Sequence, residues 1–290
     1  MKRIVALTII CTAALLGCGK KDNEPNREPL STTSLTESSV VSENTSYIEE
    51  EVDGIKIDEN TFPDEIFRDY IKSKIDKDKN EYLSDEEIGR VTEISINGSK
   101  NEKYHDLKSL KGVELFVNLE GLSIQWCDLE KLDISKNTKL EVIIIGNTNL
   151  SELDVSNNIF LVDLEIVTSN IQALDVSNNK SLRWLDVSAT QLHELDLSNN
   201  PLLQHLGIRK TNIESLDLSN NNKLERFSCY NASSFKDVDF SKNPMLLSVI
   251  CNGSAISKLD LRNNPKCFEV QCNIDTEIIG GDNIEYLTRY

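Results

Sequence analysis

The sequence predicts a β-solenoid of parallel strands, two short strands per 21-residue coil, preceded by a small α-helical N-terminal cap. The first observation is a short line, Leu195-Asp196-Leu197-Ser198, that returns with small changes at Leu132, Leu153, Leu174, Leu216, Val238 and Leu259. The spacings are 21, 21, 21, 21, 22 and 21 residues, and a period that strict marks stacked repeat units. The second is that each period holds two stretches in which apolar and polar residues alternate, as strands with one buried face require. The third lies upstream, where apolar residues recur at helical spacing around a run of acidic ones.

The chain opens with Lys2 and Arg3, an apolar run from Ile4 to Leu16, then Gly17 and Cys18. Residues 1–17 read as a secretory signal, because the run is too short for a permanent membrane span. Leu15-Leu16-Gly17-Cys18 resembles the lipobox of bacterial lipoproteins, which implies acylation of Cys18. On that reading the protein is exported and lipid-anchored to the cell membrane or outer membrane, facing the exterior, and touches the membrane only through Cys18. Residues 18–53, rich in Ser, Thr, Glu, Asn and Pro, read as a disordered tether. Extended, the tether would reach on the order of 100 Å.

Residues 54–104 read as the cap. Ile66, Phe67, Tyr70 and Ile71 share one face of a helix predicted over 63–75, with Pro63 at its first position. A shorter helix is predicted from Ser84. Between them Asp76, Asp78, Asn80, Tyr82, Ser84 and Glu87 fall at positions 1, 3, 5, 7, 9 and 12 of a loop with EF-hand spacing, which implies one calcium ion. The departure is position 6, where Glu81 stands in place of Gly. A left-handed backbone there costs about 1–2 kcal/mol. Without metal, Ser84 and Glu87 make a capping box, so that reading stays open beside calcium.

Residues 105–275 carry the repeats. A unit reads L-x-x-L-x-[IVC]-x-x-[TS]-x-[LI]-x-x-L-D-[VLI]-S-x-N-x-x, most plainly in Leu182, Leu185, Val187, Thr190, Leu192, Leu195, Leu197, Ser198 and Asn200. This resembles the leucine-rich repeat family, in particular the nested 21-residue class of bacterial surface proteins. With the cap, the layout resembles that of internalins. The family's bend Asn is replaced by Cys127, Thr148, Ser169, Thr190, Thr211 and Ser254, which predicts a hydroxyl ladder there. The Asn has moved to the second half, at Asn137, Asn158, Asn179, Asn200, Asn221, Asn243 and Asn264. Two parallel sheets back to back are expected. Residues 276–290 read as a hairpin capping the last coil, with Gly280-Gly281-Asp282-Asn283 as its turn.

Seven cysteines do not read as disulfides: Cys229, Cys251 and Cys272 occupy a position held elsewhere by Ile124, Ile145, Ile166, Val187 and Ile208. They are expected inside the core.

A net charge of −17 argues against nucleic acid as a partner. Three histidines and the lack of any HExxH, GxSxG, P-loop or paired CxxC argue against an enzyme. The repeated Asp of each unit sits outward in a column about 4.8 Å per rung, where neighbouring carboxylates repel by about 0.9 kcal/mol in water. These are expected to be stitched to turn amides and to form no site. Functional information is expected where the repeat stops repeating, on the outward positions of the first strand. There Trp184, His205, Arg226, Arg209 and Tyr230 gather mid-array, rimmed by Glu165 and Asp186. The resulting expectation is a monomeric, non-catalytic surface that binds a protein or glycan partner. The alternatives are a structural envelope spacer and, less favoured, a surface glycan hydrolase.

Overall fold

The fold follows from how the repeated residues satisfy one another between rungs. It is seen in a computed structural model that describes residues 53–290. The predicted signal, Cys18 and nearly all of the tether lie outside the described residues.

Asp64 opens helix α1 (Glu65–Lys74), its carboxylate accepting the amides of Ile66 and Phe67. Pro63 therefore lies one residue before the cap, and Phe67 and Ile71 are buried. Strand β1 (Ile55–Lys56) pairs antiparallel with β2 (Tyr82–Leu83), and Ser84 caps α2 (Asp85–Arg90) in a reciprocal capping box with Glu87. No helix among the described residues is long and apolar enough to cross a membrane.

From there the chain coils. One strand per coil joins a single sheet of ten: β3 (Glu93–Asn97), β4 (Gly121–Gln125), β5 (Val142–Gly146), β6 (Asp163–Val167), β7 (Trp184–Asp186), β8 (His205–Gly207), β10 (Arg226–Ser228), β12 (Ser248–Ile250), β14 (Glu269–Cys272) and β16 (Tyr286–Arg289). Every pairing in it is parallel and in register, for example Trp184 with His205 and His205 with Arg226. Inward residues such as Leu185, Val187, Leu206 and Ile208 are buried. The predicted parallel solenoid with a helical cap is the observed fold.

Three expectations change in detail. The array begins at β3, inside the segment read as cap, so its first coil precedes residue 105. The C-terminal segment is no hairpin: β15 (Glu277–Ile279) pairs in parallel with β13 (Lys258–Asp260), and β16 pairs in parallel with β14. Residues 276–290 are one more coil, extending the array past 275. The second sheet is fragmentary, reduced among the described residues to β9 (Ser215–Leu216) with β11 (Asp237–Val238), β13 with β15, and a bridge between Ser109 and Lys131. Its amides go elsewhere: in each second half the amide two residues after the repeated Asp is taken by that Asp.

The coils are tied by the shifted Asn. The Asn200 Nδ2 donates to the carbonyls of Val176 and Asn179 in the previous coil, at 3.0 and 3.0 Å. Asn137, Asn158, Asn179, Asn221, Asn243 and Asn264 repeat the fork. All seven are buried. The hydroxyl ladder is partial: Thr190, Thr211 and Ser254 donate to the carbonyl three residues back, whereas the Thr148 and Ser169 hydroxyls are buried without a partner. Cys229, Cys251 and Cys272 lie in the core as free thiols.

Replacing Asn200 by Ala removes both buried side-chain bonds to the previous coil and leaves the Val176 and Asn179 carbonyls only their turn amides, a loss expected to cost about 2–3 kcal/mol. Asp196→Ala removes one exposed bond and should cost about 1 kcal/mol or less. Denaturant unfolding of both variants checks the contrast, and equal losses would reject the ladder as the main tie.

Candidate functional site

The outward faces of the ten-stranded sheet place side chains in columns one rung apart. Trp184 and His205 occupy neighbouring rungs of one column and stack, ring centroids 4.0 Å apart and 20° from parallel. Trp184 is still 38% exposed. Burial, and then the Arg226 guanidinium on the next rung, hold the His205 imidazole below its ordinary pKa. In the next columns Asp186 accepts Arg209 in an ion pair of 2.7 Å, and Arg209 also reaches the Ser188 hydroxyl at 3.1 Å. Gly207 permits that pair, because a Cβ there would meet the Asp186 carboxyl carbon at 2.7 Å. Asp186 leans across the glycine toward Arg209.

Tyr230 is 38% exposed and lines a shallow groove with Arg209, Ser228, Ile250, Asn252, Gln271 and Tyr290. The structure therefore places Trp184 beside His205, His205 beside Arg226, Arg209 with Asp186, and Arg209 with Tyr230. Glu165 stands opposite Asp186 in register. Two residues of this surface lie outside the cluster that the sequence predicts: Tyr290, in the segment expected to form a capping hairpin, and Asp163, whose column position opposite Trp184 is readable from the period.

The acids here contrast with the repeated Asp column. Bonds from the amides and hydroxyls of the following serines hold Asp133, Asp154, Asp175, Asp196 and Asp217 below the usual carboxylate range. The Arg262 side chain, with its amide, brings Asp260 to about 2. On the first-strand sheet, burial pushes the Asp163 carboxyl up to about 6, with Asp186 adding to it. Burial, Asp163 and Asp186 push Glu165 up to about 7 against the pull of Arg209.

In the cap, one carboxylate oxygen from each of Asp76, Asp78 and Glu87 lies within 4.8 Å of the others. Glu81 adopts the left-handed conformation at φ 66° without being glycine. Its amide donates to Asp76, its carbonyl accepts from Ile57, and its carboxylate pairs with Lys72 at 2.9 Å. Asn80 Oδ1 accepts the Tyr82 amide, and the Ser84 hydroxyl donates to Glu87. Although burial opposes ionisation of Glu87, the amides of Lys77, Ser84 and Asp78 and the Ser84 hydroxyl keep its carboxyl low. An ionised Glu87 beside Asp76 and Asp78 is a donor set of the hard oxygen type that suits calcium.

The coils, their Asn tie and the single long parallel sheet define an internalin-like leucine-rich repeat solenoid. The chain is similar to the functional domain of InlJ from Listeria monocytogenes, with 26% identity and a TM-score of 0.60 over 66% of this chain and 41% of that one. It is also similar to internalin C2 from Listeria monocytogenes, with 16% identity and a TM-score of 0.57 over 81% of this chain and 97% of that one. The chain thus spans about two fifths of the InlJ domain. That domain is described as including a cysteine ladder, and here Cys229, Cys251 and Cys272 follow one another on successive coils. No family model matches the chain, and no curated protein matches its sequence.

The raised carboxyls have a stability signature. Between the unfolded values near 4 and the folded values of about 6 and 7, the native state holds more protons than the unfolded state at Asp163 and Glu165. Their contribution to stability therefore falls as pH rises from about 4 to about 7 and is level above it. Asp163→Asn with Glu165→Gln should gain stability over the parent progressively across that window, measured by thermal midpoints at stepped pH. A constant difference would reject the environment assigned to these two groups.

Proposed function

We propose that this is an exported protein, lipid-anchored at Cys18, whose first-strand sheet is a non-catalytic surface for a protein or glycan partner. The observation that carries the reading is the cluster of Trp184, His205, Arg209, Arg226 and Tyr230 on one face of an otherwise repetitive array. Aromatic and arginine side chains at the centre of a patch are the ones that dominate binding energy. The internalin-like fold supports an interaction surface, and the acid columns elsewhere are occupied with their own turns. A leucine-rich repeat spacer without a ligand would have no use for an exposed Trp stacked on His.

Trp184→Ala combined with Tyr230→Ala should lower capture of the binding partner from host-cell or envelope extracts at least about tenfold while leaving the thermal midpoint near that of the parent. Unchanged capture by the folded variant would reject this face as the binding surface.

The cap loop, on this reading, holds one calcium ion through Asp76, Asp78, Asn80, the Tyr82 carbonyl, Ser84 and Glu87. The convergence of the three carboxylates and the adopted left-handed turn at Glu81 support it. Calorimetric titration of the full chain with calcium should show a single weak site, with a dissociation constant on the order of 10⁻⁴ to 10⁻³ M, abolished by Asp76→Asn with Glu87→Gln. Heat no greater than dilution rejects the site.

A further inference from the structure

Asp163 and Glu165 are the uncompensated groups of the sheet. They lie two residues apart on β6 and so face the same side, both partly buried. Asp163 Oδ1 is buried without a hydrogen-bond partner, and among the described residues no hydrogen bond or ion pair reaches the side chain of either acid. The rung on one side offers Val142 and Ile144, which carry no charge or donor. The rung on the other offers Trp184 and a third acid, Asp186. The nearby cation, Arg209, is already paired with Asp186, drawn over Gly207 and away from β6.

Removing carboxylates from water without a counter-charge is unfavourable, and elsewhere in this fold it is avoided. Each repeated Asp has its turn amide, and Glu87 has several donors. Asp163 and Glu165 have neither. We infer that Asp163 and Glu165, beside the exposed edge of Trp184, receive a basic side chain, arginine or lysine, from a protein partner lying across this sheet. The inference rests on the binding-surface reading above and names the chemistry of the partner.

Two features select a basic side chain over a bare divalent ion. Asp163, Glu165 and Asp186 do not converge within 4.8 Å as the three carboxylates of the cap loop do. A guanidinium presents donors on several sides and can bridge acids that a single small ion cannot reach together. Trp184 adds an aromatic flank, which favours an arginine or lysine entering with its aliphatic stem against the ring. A sugar would need an open ring face, and His205 covers one face of Trp184.

The probe is a blocked, fluorescently labelled Gly-Arg-Gly-Arg-Gly peptide, with anisotropy recorded on the full chain at low salt. Asp163→Asn with Glu165→Gln should weaken binding about tenfold or more. The matched control, Glu152→Gln with Glu194→Gln, removes the same charge at exposed positions outside the ten-stranded sheet and should change binding less than about twofold. Parent affinity should rise from pH 5 to pH 8 as Asp163 and Glu165 ionise, with Asp186 and Arg209 the charged groups facing them, and the double variant should lose that rise. Equal weakening by both variant pairs would overturn the proposal, because the peptide would then be sensing only the overall charge. The variant's thermal midpoint, at or above the parent's, shows that its fold is intact. A natural partner that is lost with Trp184→Ala and Tyr230→Ala but indifferent to Asp163→Asn with Glu165→Gln overturns the basic anchor and leaves the surface reading standing. A partner indifferent to both pairs overturns both.

Discussion

The buried fork of the repeated Asn is the contact on which the rest of the solenoid depends. Each Nδ2 has two hydrogens, and each finds a carbonyl of the preceding coil, one on the previous Asn and one three residues before it. Those carbonyls already accept a turn amide of their own coil, Asn179 N–H on Val176 and Leu182 N–H on Asn179, so the fork gives each a second donor and carries the bonding from one coil to the next. The side-chain Oδ1 of every member is buried and unpaired, which makes the ladder a donor device. This requirement explains the strictness of the period. A coil may lengthen only where the fork is not disturbed: the extra residue between Cys229 and Val238 leaves Asn243 bonded to Leu218 and Asn221 as its neighbours are to theirs.

The opposite bend obeys a second constraint. Trp126, Asn147, Thr168, Ala189, Lys210 and Asn231 all take the left-handed conformation just after the first strand, and of the left-handed residues in that column only Gly253 is glycine. Such a turn costs an ordinary residue about 1–2 kcal/mol. The cost is offset because the amide of each turned residue points along the stack: Trp126 donates to Gly146, Asn147 to Val167, Thr168 to Ser188 and Lys210 to Tyr230. Coil-to-coil bonding therefore selects the backbone conformation here, and side-chain identity follows loosely. Thr168, a β-branched residue, could not have been assigned this conformation from local preference.

What was legible in the sequence is what repeats locally. The inward Leu and Ile, the Asn shift, the capping box at Ser84 and the burial of Cys229, Cys251 and Cys272 all follow from spacing alone. What was not legible depends on partners far along the chain. Glu277–Ile279 and Tyr286–Arg289 flank Gly280 and Gly281, a strong local hairpin signal, yet each strand completes a different face of one more coil because the previous rung offers a longer parallel edge. Glu93–Asn97 lacks the repeat consensus and still begins the sheet, since pairing with Gly121–Gln125 needs only a matching inward pair, Ile94 and Ile96. In the candidate site the columns were readable, but the lean of Asp186 over Gly207 was not. That lean decides which acid keeps the arginine.

The acids of this chain show why residue type alone says little about function. Asp196 and Asp163 are the same side chain on the same kind of coil, about ten residues apart in phase. One is exposed and takes a turn amide, which holds its carboxyl low; the other is partly buried and takes none, which raises it. The difference lies in the backbone each meets. After Asp196 the chain turns and frees the Ser198 amide, whereas at Asp163 the strand runs straight and its amide is engaged by Glu141. A straight strand leaves its outward side chains to their neighbours, and at Asp163 and Glu165 those neighbours are valine, isoleucine, tryptophan and aspartate. The turn that gives each repeated Asp an amide has no counterpart on the straight strand, which leaves these two carboxyls unmet and places the missing counter-charge outside the chain.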